Sequence, residues 1–135
     1  MSISVVFPMY NERNYVKKSV DLAVEAVKEI TNDYEIIIVD DCSVDDSGSI
    51  ADDIARQNPS VKVIHNQKNR KLGGSLKTGF QLATKEYVLY ADIDMPFDFK
   101  EIKYAFNLML SQNAQIVSAY RINRGDLTPL TCANI

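Results

Sequence analysis

The sequence predicts an α/β fold in which helices cover both faces of a doubly wound, mostly parallel sheet. Short runs rich in β-branched residues alternate with longer stretches of helical period along the 135 residues. The run at 34–39 is almost continuously apolar, which is typical of a strand covered on both sides. Such an alternation favours parallel strands joined by right-handed crossovers. We find no internal repeat or linker, and therefore predict one domain over residues 1–135.

Each element follows from a local pattern. The predicted strands cover residues 3–7, 34–39, 61–64, 87–90 and 115–119. Three of the predicted helices cover residues 14–30, 73–84 and 99–110. A fourth begins with the capping groups at 45–47 and ends near residue 57. Pro8 stops the first strand, and Pro59 separates the second helix from the third strand.

Composition narrows the class of function. The apolar fraction of 46% and the charged fraction of 24% are those of a globular domain. The net charge of −3 gives no reason to expect a nucleic-acid partner. Neither a signal peptide nor an apolar run of about 18 residues is visible, so we expect a cytoplasmic chain, with association at the cytoplasmic membrane face left open. Cys42 and Cys132 are too far apart in sequence to indicate a zinc site or a disulfide framework.

Polar residues cluster where the predicted strands end. They are Asn11, Glu12, Asp40, Asp41, Asp92, Asp94 and Arg121. Ligands of doubly wound sheets bind outside the carboxyl ends of the strands, where the strand order reverses. Capping and solubility explain many acids of this kind, but five of them at one rim, together with an arginine, favour a ligand site.

Asp92 and Asp94 form a D-x-D motif directly after a strand, which places both carboxylates on one side of an extended segment. Two carboxylates this close repel each other unless a cation, a shared proton or solvent relieves them. Mg²⁺ or Mn²⁺ would do so and would leave positions open for phosphate oxygens. The motif alone is a weak signal, because such triplets occur by chance.

Asp40 and Asp41 end the most hydrophobic strand. A carboxylate there can accept hydrogen bonds from a nucleobase or a ribose, or it can satisfy the amides of Ser43 and Val44. We expect one acid to be structural and the other to face a ligand.

The segment at 69–75 places basic side chains and two glycines before a helix, a combination that favours phosphate. A basic surface loop is the alternative. The chain lacks a Walker A ending and a G-x-G-x-x-G loop after the first strand, which argues against ATPase and dehydrogenase functions. His65, the one histidine, is assigned no role, and Tyr90 and Tyr104 are assigned to the core.

Five ordered segments carry a family resemblance. They are residues 5–12, 35–43, 71–74 with 78–80, 92–98 and 119–124. Together they resemble family 2 glycosyltransferases of the GT-A fold, and specifically the polyprenyl-phosphate glycosyltransferases similar to dolichyl-phosphate mannose synthase. The resemblance covers nearly the whole chain and implies a Rossmann-like nucleotide-sugar-binding domain.

The resemblance implies a nucleotide pocket at matched positions. Pro8, Tyr10 and Glu12 would line it. Asp41 would read the base, and Asp40 would support Asp41. The implied donor is a UDP- or GDP-sugar.

The resemblance also implies a metal and phosphate site. Asp92 would lie near the ribose and the metal, and Asp94 would be the principal ligand of Mg²⁺ or Mn²⁺. Lys71 would lie near the diphosphate. Arg121 and Arg124 would meet phosphate on the donor or on a lipid-phosphate acceptor, a task that suits the arginine fork.

The implied reaction is hexosyl transfer with inversion, in which Asp92, Asp94 and Arg121 carry the catalysis. A polyprenyl-phosphate acceptor at the membrane surface is already anionic, so it needs positioning more than a general base. Pro96 stands where many relatives carry a metal-ligating glutamine, which puts the metal site in question. The family continues well beyond Ile135, so we expect this chain to be the N-terminal part of a longer catalytic domain.

Three other functions stay open at this point. A fragment without an acceptor site would be a non-catalytic nucleotide-sugar-binding domain. A nucleotidylyltransferase should carry a glycine-rich basic loop after the first strand, where this chain has residues 9–12. A receiver-like domain needs an aspartate where His65 and Asn66 stand. An uncovered sheet edge could also make the fragment a homodimer.

Overall fold

The computed structural model describes residues 1–94, 97–119 and 130–133, the last segment as backbone. The elements are β1 (Ile3–Met9), α1 (Val16–Lys28), β2 (Tyr34–Asp40), α2 (Ser47–Gln57), β3 (Val61–His65), α3 (Lys71–Leu82), β4 (Tyr87–Tyr90), α4 (Glu101–Ser111), β5 (Ile116–Ala119) and β6 (Leu130–Ala133). The chain divides into two compact units, Met1–Phe99 and Lys100–Ile135.

The first unit is built on a four-stranded parallel sheet in the order β3-β2-β1-β4. From β1 to β3 the chain moves in one direction across the sheet, and it then returns to pair β4 with the other side of β1. Right-handed crossovers therefore put α1 and α2, which contact each other, on one face, and α3 on the other. The doubly wound parallel sheet predicted from sequence is confirmed.

The core lies on the two central strands. Val5, Val6 and Phe7 of β1 are fully buried, as are the four residues 36–39 of β2. On the face that α3 covers, Gly79 packs so closely that an added Cβ would lie 2.3 Å from Val6 Cγ1. On the opposite face, the rings of Phe7 and Phe99 meet edge to face at 5.9 Å. The core therefore holds the central strand β1 rigidly under the loop that follows it.

A buried polar network lies at the amino ends of the strands, opposite the polar rim. The Glu35 carboxylate accepts hydrogen bonds from Ser4 Oγ at 2.7 Å and from Thr84 N–H at 2.7 Å, and Lys62 Nζ lies 2.6 Å away. Burial raises the pKa of Glu35, but these partners outweigh burial and lower it to about 2. The network ties β1, β2 and β3 to the turn after α3.

The second unit contains α4 and a two-stranded sheet in which β5 pairs antiparallel with β6. The sequence pattern predicts the strand at 115–119, but it does not predict this partner or β6. A short apolar run indicates that a strand is buried, but it does not predict which strand lies beside it.

Two further details differ from expectation. The third helix begins at Lys71, before the glycines, because the N–H groups of Arg70 and Lys71 already have acceptors in the side chains of Asp41 and Asn69. The assignment of two tyrosines to the core is wrong, since Tyr90 is 38% exposed on the edge strand β4 and Tyr104 is 58% exposed on α4.

Candidate nucleotide-binding site

A cleft of about 200 Å³ opens at the carboxyl ends of β1 and β4. It is lined by Pro8, Met9, Tyr10, Glu12, Asp41, Leu72, Ser75, Asp92, Ile93 and Asp94. All of these residues belong to the first unit. The strand order reverses between β1 and β4, which is where ligands of doubly wound sheets bind. The cleft thus brings together six of the residues that the sequence and the resemblance single out, namely Pro8, Tyr10, Glu12, Asp41, Asp92 and Asp94.

Asp41 presents an ionised carboxylate to this cleft. Its Oδ1 accepts hydrogen bonds from Arg70 N–H and from Asn66 Nδ2, both at 2.8 Å. Burial alone would raise the pKa of Asp41, but these two donors, together with Ser75 and Lys71 N–H, lower it. An ionised carboxylate only accepts hydrogen bonds, so Asp41 is suited to a ligand that offers N–H or O–H groups.

Asp40 is buried beside Asp41 but does not line the cleft. Its Oδ1 accepts the Ser43 N–H at 3.1 Å, and its Oδ2 lies 2.7 Å from His65 Nδ1. Asp40 therefore supports the loop after β2, while Asp41 lines the cleft. One of the two acids is therefore structural and the other lines the cleft, and a role of Asp41 toward a ligand stays a prediction.

The loop after β1 is hydrogen-bonded to the loop after β2. Asn11 adopts a left-handed φ of 53°, which asparagine tolerates better than most residues. Its Oδ1 accepts the Val44 N–H at 2.8 Å, and its own N–H donates to Ser43 Oγ at 2.9 Å. The next amide, that of Glu12, donates to Ser47 Oγ at 2.7 Å. These bonds fix the backbone that carries Tyr10 and Glu12 at the rim of the cleft.

The D-x-D segment is anchored through the residue between the two acids. Ile93 is buried, and its carbonyl accepts a hydrogen bond from Ser19 Oγ of α1 at 2.5 Å. Asp92 Oδ1 accepts a hydrogen bond from Tyr90 OH at 3.0 Å. Asp92 and Asp94 are exposed and line the cleft on either side of this anchor. Both carboxylates are therefore accessible to a ligand from solvent.

Negative charge accumulates at this end of the cleft. Burial raises the pKa of Glu12, and repulsion from Asp94, Asp45 and Asp92 raises it further. Oxygen donors under mutual repulsion fit a hard divalent cation such as Mg²⁺ or Mn²⁺. Within the described residues, however, no three acid, histidine or cysteine side chains are arranged to hold a metal ion. The residues fit a cation that takes its remaining ligands from a phosphate or from water.

Of the predicted cationic residues, Lys71 lies within the described part of the chain, and it is not brought into the cleft. Lys71, the first residue of α3, is exposed with a φ of 61° and does not line it. Arg121 and Arg124 lie outside the described residues, as does Pro96. Their roles toward phosphate and metal stay predictions.

Sequence reasoning gave no individual role to several residues that shape the site. Leu72 and Ser75 of α3 line the cleft, and Asn66 holds the Asp41 carboxylate. Asn66 directly follows β3, so it shares the rim with the acids and could have been found by the same strand-end argument. Ser19 gave no such signal, because a serine on a helix has no distinguishing pattern.

Curated relatives align with most of this chain. The chain is 32% identical over 126 residues to an undecaprenyl-phosphate 4-deoxy-4-formamido-L-arabinose transferase of Serratia proteamaculans, covering 92% of this chain and 38% of that protein. It spans between 17% and 38% of the length of the first relatives that it matches. No helix in the described part of the chain is long and apolar enough to cross a bilayer.

Solved structures share the fold. The S. aureus protein TarS superposes with a TM-score of 0.70 at 25% identity, over 87% of this chain and 34% of the TarS chain. The mannosyltransferase PcManGT from Pyrobaculum calidifontis, solved in complex with GDP-Man and Mn²⁺, superposes with a TM-score of 0.69 at 23% identity, over 79% of this chain and 32% of its own. The model of glycosyl transferase family 2 matches residues 4–130. The chain therefore belongs to glycosyl transferase family 2.

Proposed function

We propose that this chain binds a nucleoside-diphosphate sugar in the cleft, as the donor-binding part of an inverting hexosyltransferase. One observation carries the proposal: an ionised, acceptor-only carboxylate and a D-x-D pair face the same cleft at the point where the strand order reverses. Membership in the glycosyl transferase family supports the reaction class.

The nucleotide would be recognised from the β1 and β2 side of the cleft. Asp41 would accept a hydrogen bond from an N–H of the base, with its other hydrogen bonds holding the carboxylate in place. Tyr10 is half exposed at the rim, where its ring offers an apolar face to the base or the ribose. Pro8 also lines the cleft and would form a rigid part of its wall.

The diphosphate would lie toward the D-x-D end. Asp92 and Asp94 would hold Mg²⁺ or Mn²⁺, which when bound neutralises the negative charge of the diphosphate. The Mn²⁺ in the mannosyltransferase of similar fold supports this choice of ion. Lys71, Arg121 and Arg124 remain candidates for the phosphates, since the two aspartate ligands already offset the charge of a divalent ion and the diphosphate would still need cationic partners.

The acceptor is proposed to be a polyprenyl phosphate. The Serratia relative is named as an undecaprenyl-phosphate transferase, which supports this class. Inversion requires the acceptor oxygen to attack the anomeric carbon on the face opposite the departing diphosphate. An anionic phosphate oxygen needs no general base, so the task of the chain is to hold the donor and to leave that face open.

Calorimetric titration tests the donor site. UDP and GDP are each titrated with and without Mn²⁺ into the wild type, Asp94→Asn and the control Asp21→Asn, an exposed acid on α1. We expect metal-dependent binding of one nucleotide, at least tenfold weaker in Asp94→Asn and unchanged in the control. Binding of neither nucleotide, or equal binding by Asp94→Asn, would contradict the proposal. Incubation of the protein with the nucleotide sugar and a short polyprenyl phosphate tests the acceptor. Absence of transfer would reduce the proposal to donor binding.

A further inference from the structure

His65 lies between two carboxylates that belong to different elements. Its Nδ1 is 2.7 Å from Asp40 Oδ2 at the end of β2, and its Nε2 is 2.9 Å from Asp52 Oδ1 on α2. The Asp40 side chain is buried, whereas His65 and Asp52 are 45% and 49% exposed. The imidazole therefore bridges a buried acid at the end of β2 to an exposed acid on α2. Among the residues that the structure describes, these two carboxylates are the charged groups that face it.

The bridge needs the charged form of histidine. Carboxylates only accept hydrogen bonds, and a neutral imidazole has one N–H donor, whereas an imidazolium has two. A neutral ring can satisfy only one of the two acids and turns a lone pair toward the other. Accordingly, the hydrogen bonds to Asp52 and Asp40 raise the pKa of His65, although burial opposes them. Loss of the proton should release Asp52 first, because that carboxylate can return to water.

The bridge reaches the cleft through the first turn of α2. An added Cβ at Gly48 would lie 2.8 Å from Asp40 Oδ2 and 3.3 Å from the His65 ring, so this turn packs directly on the bridged pair. The preceding residue, Ser47, accepts the Glu12 N–H at 2.7 Å. Glu12 lines the cleft. A chain of direct contacts thus runs from Asp52 and His65 to the rim of the nucleotide site.

We propose that His65 is a positioning residue of the nucleotide site: as an imidazolium it ties Asp40 to Asp52 and so holds the first turn of α2 and the Glu12 loop in the geometry of the cleft. The nucleotide ligand in this inference rests on the proposed function. The bridge itself rests on the local geometry alone. Its consequence is a nucleotide affinity that falls as pH rises and the imidazolium loses its proton.

Asp52 is the residue to change, because it is exposed and its variants keep the buried Asp40–His65 contact. Asp52→Ala removes the bridge at every pH. Asp52→Asn keeps it at every pH, since the amide can accept from an imidazolium or donate to a neutral ring. Asp53→Asn removes the same charge from the neighbouring, exposed position and is the matched control.

The first readout needs no ligand. The chain has one histidine, so its imidazole signal in an NMR titration of the untagged protein is unambiguous. We expect the His65 pKa to fall in Asp52→Ala and Asp52→Asn and to stay at the wild-type value in Asp53→Asn. Exchange of the Glu12 amide, measured at pH 6, should be about two- to fivefold faster in Asp52→Ala than in the wild type and the control, the range that an exposed ion pair supplies. An unchanged exchange rate would overturn the proposal.

The second readout is the pH profile of nucleotide affinity between pH 6 and 9. The wild type and Asp53→Asn should weaken by about two- to fivefold across the titration of His65, whereas Asp52→Asn should stay flat near the tight value and Asp52→Ala flat near the weak one. Equal pH profiles in all four proteins would also overturn the positioning role. If no nucleotide binds the wild type, the proposed function fails, and the amide exchange rate still decides whether the bridge holds the Glu12 loop.

Discussion

Replacement of Glu35 by Gln should lower the free energy of unfolding by about 3 kcal/mol at pH 7. The Glu35 carboxylate is 3% exposed and its pKa falls from 4.5 to about 2 in the folded chain. One pKa unit is equivalent to about 1.4 kcal/mol, so this shift contributes about 3 kcal/mol. Because the folded pKa is the lower one, the contribution is complete above pH 4.5 and is lost as pH falls through 2. At pH 3 it should be only about 1 kcal/mol.

Urea denaturation at pH 7 and pH 3 measures this difference. Glu35→Gln keeps the size of the side chain and an oxygen that can accept from Ser4 and Thr84, but it loses the charge that Lys62 meets at 2.6 Å. Glu25→Gln, an exposed acid on α1, is the matched control and should change stability little at either pH. The reasoning is wrong if Glu35→Gln destabilises the protein equally at both pH values, because the loss would then not depend on ionisation.

Two further predictions concern packing and the site. Gly79→Ala should destabilise the chain by about 1–3 kcal/mol, since its Cβ would lie 2.3 Å from Val6 Cγ1, whereas Gly73→Ala on the same helix meets no atom within 4 Å and should stabilise it by about 0.5–1 kcal/mol in thermal or urea unfolding. Similar effects of the two changes would refute the close packing. Asn66→Ala should weaken nucleotide binding about tenfold in calorimetry because Asp41 loses a donor, and unchanged affinity would show that the Asp41 carboxylate needs no such support.

The fold could be predicted because its signals are local. Alternating strand and helix patterns define a parallel sheet, and the apolar run of β2 marks a strand covered on both faces. The pairing of β5 with β6 could not be predicted in the same way, because strand partners are decided by packing between segments distant in sequence. The start of α3 was placed too late for a related reason, since the acceptor for the Arg70 amide comes from Asp41, which is 29 residues away.

The position of the site at the strand ends could be predicted from the sequence, whereas many of its individual contacts could not. The strand-end rule brings Glu12, Asp41 and Asp94 to one cleft, as the topology requires. The same rule cannot tell Asp40 from Asp41, because what separates them is the presence of His65 beside one and Asn66 beside the other. The bridging position of His65 depends on α2 packing beside β3, which no residue pattern in the sequence expresses.

Backbone amide NMR tests most directly whether the cleft binds a nucleotide. UDP or GDP is added with Mg²⁺, and the complex is then titrated with traces of Mn²⁺, which broadens amides close to it. We predict shifts at Tyr10, Glu12 and Asp41, followed by selective Mn²⁺ broadening at 92–94. Shifts confined to other parts of the chain, or Mn²⁺ broadening away from the D-x-D segment, would contradict the central claim.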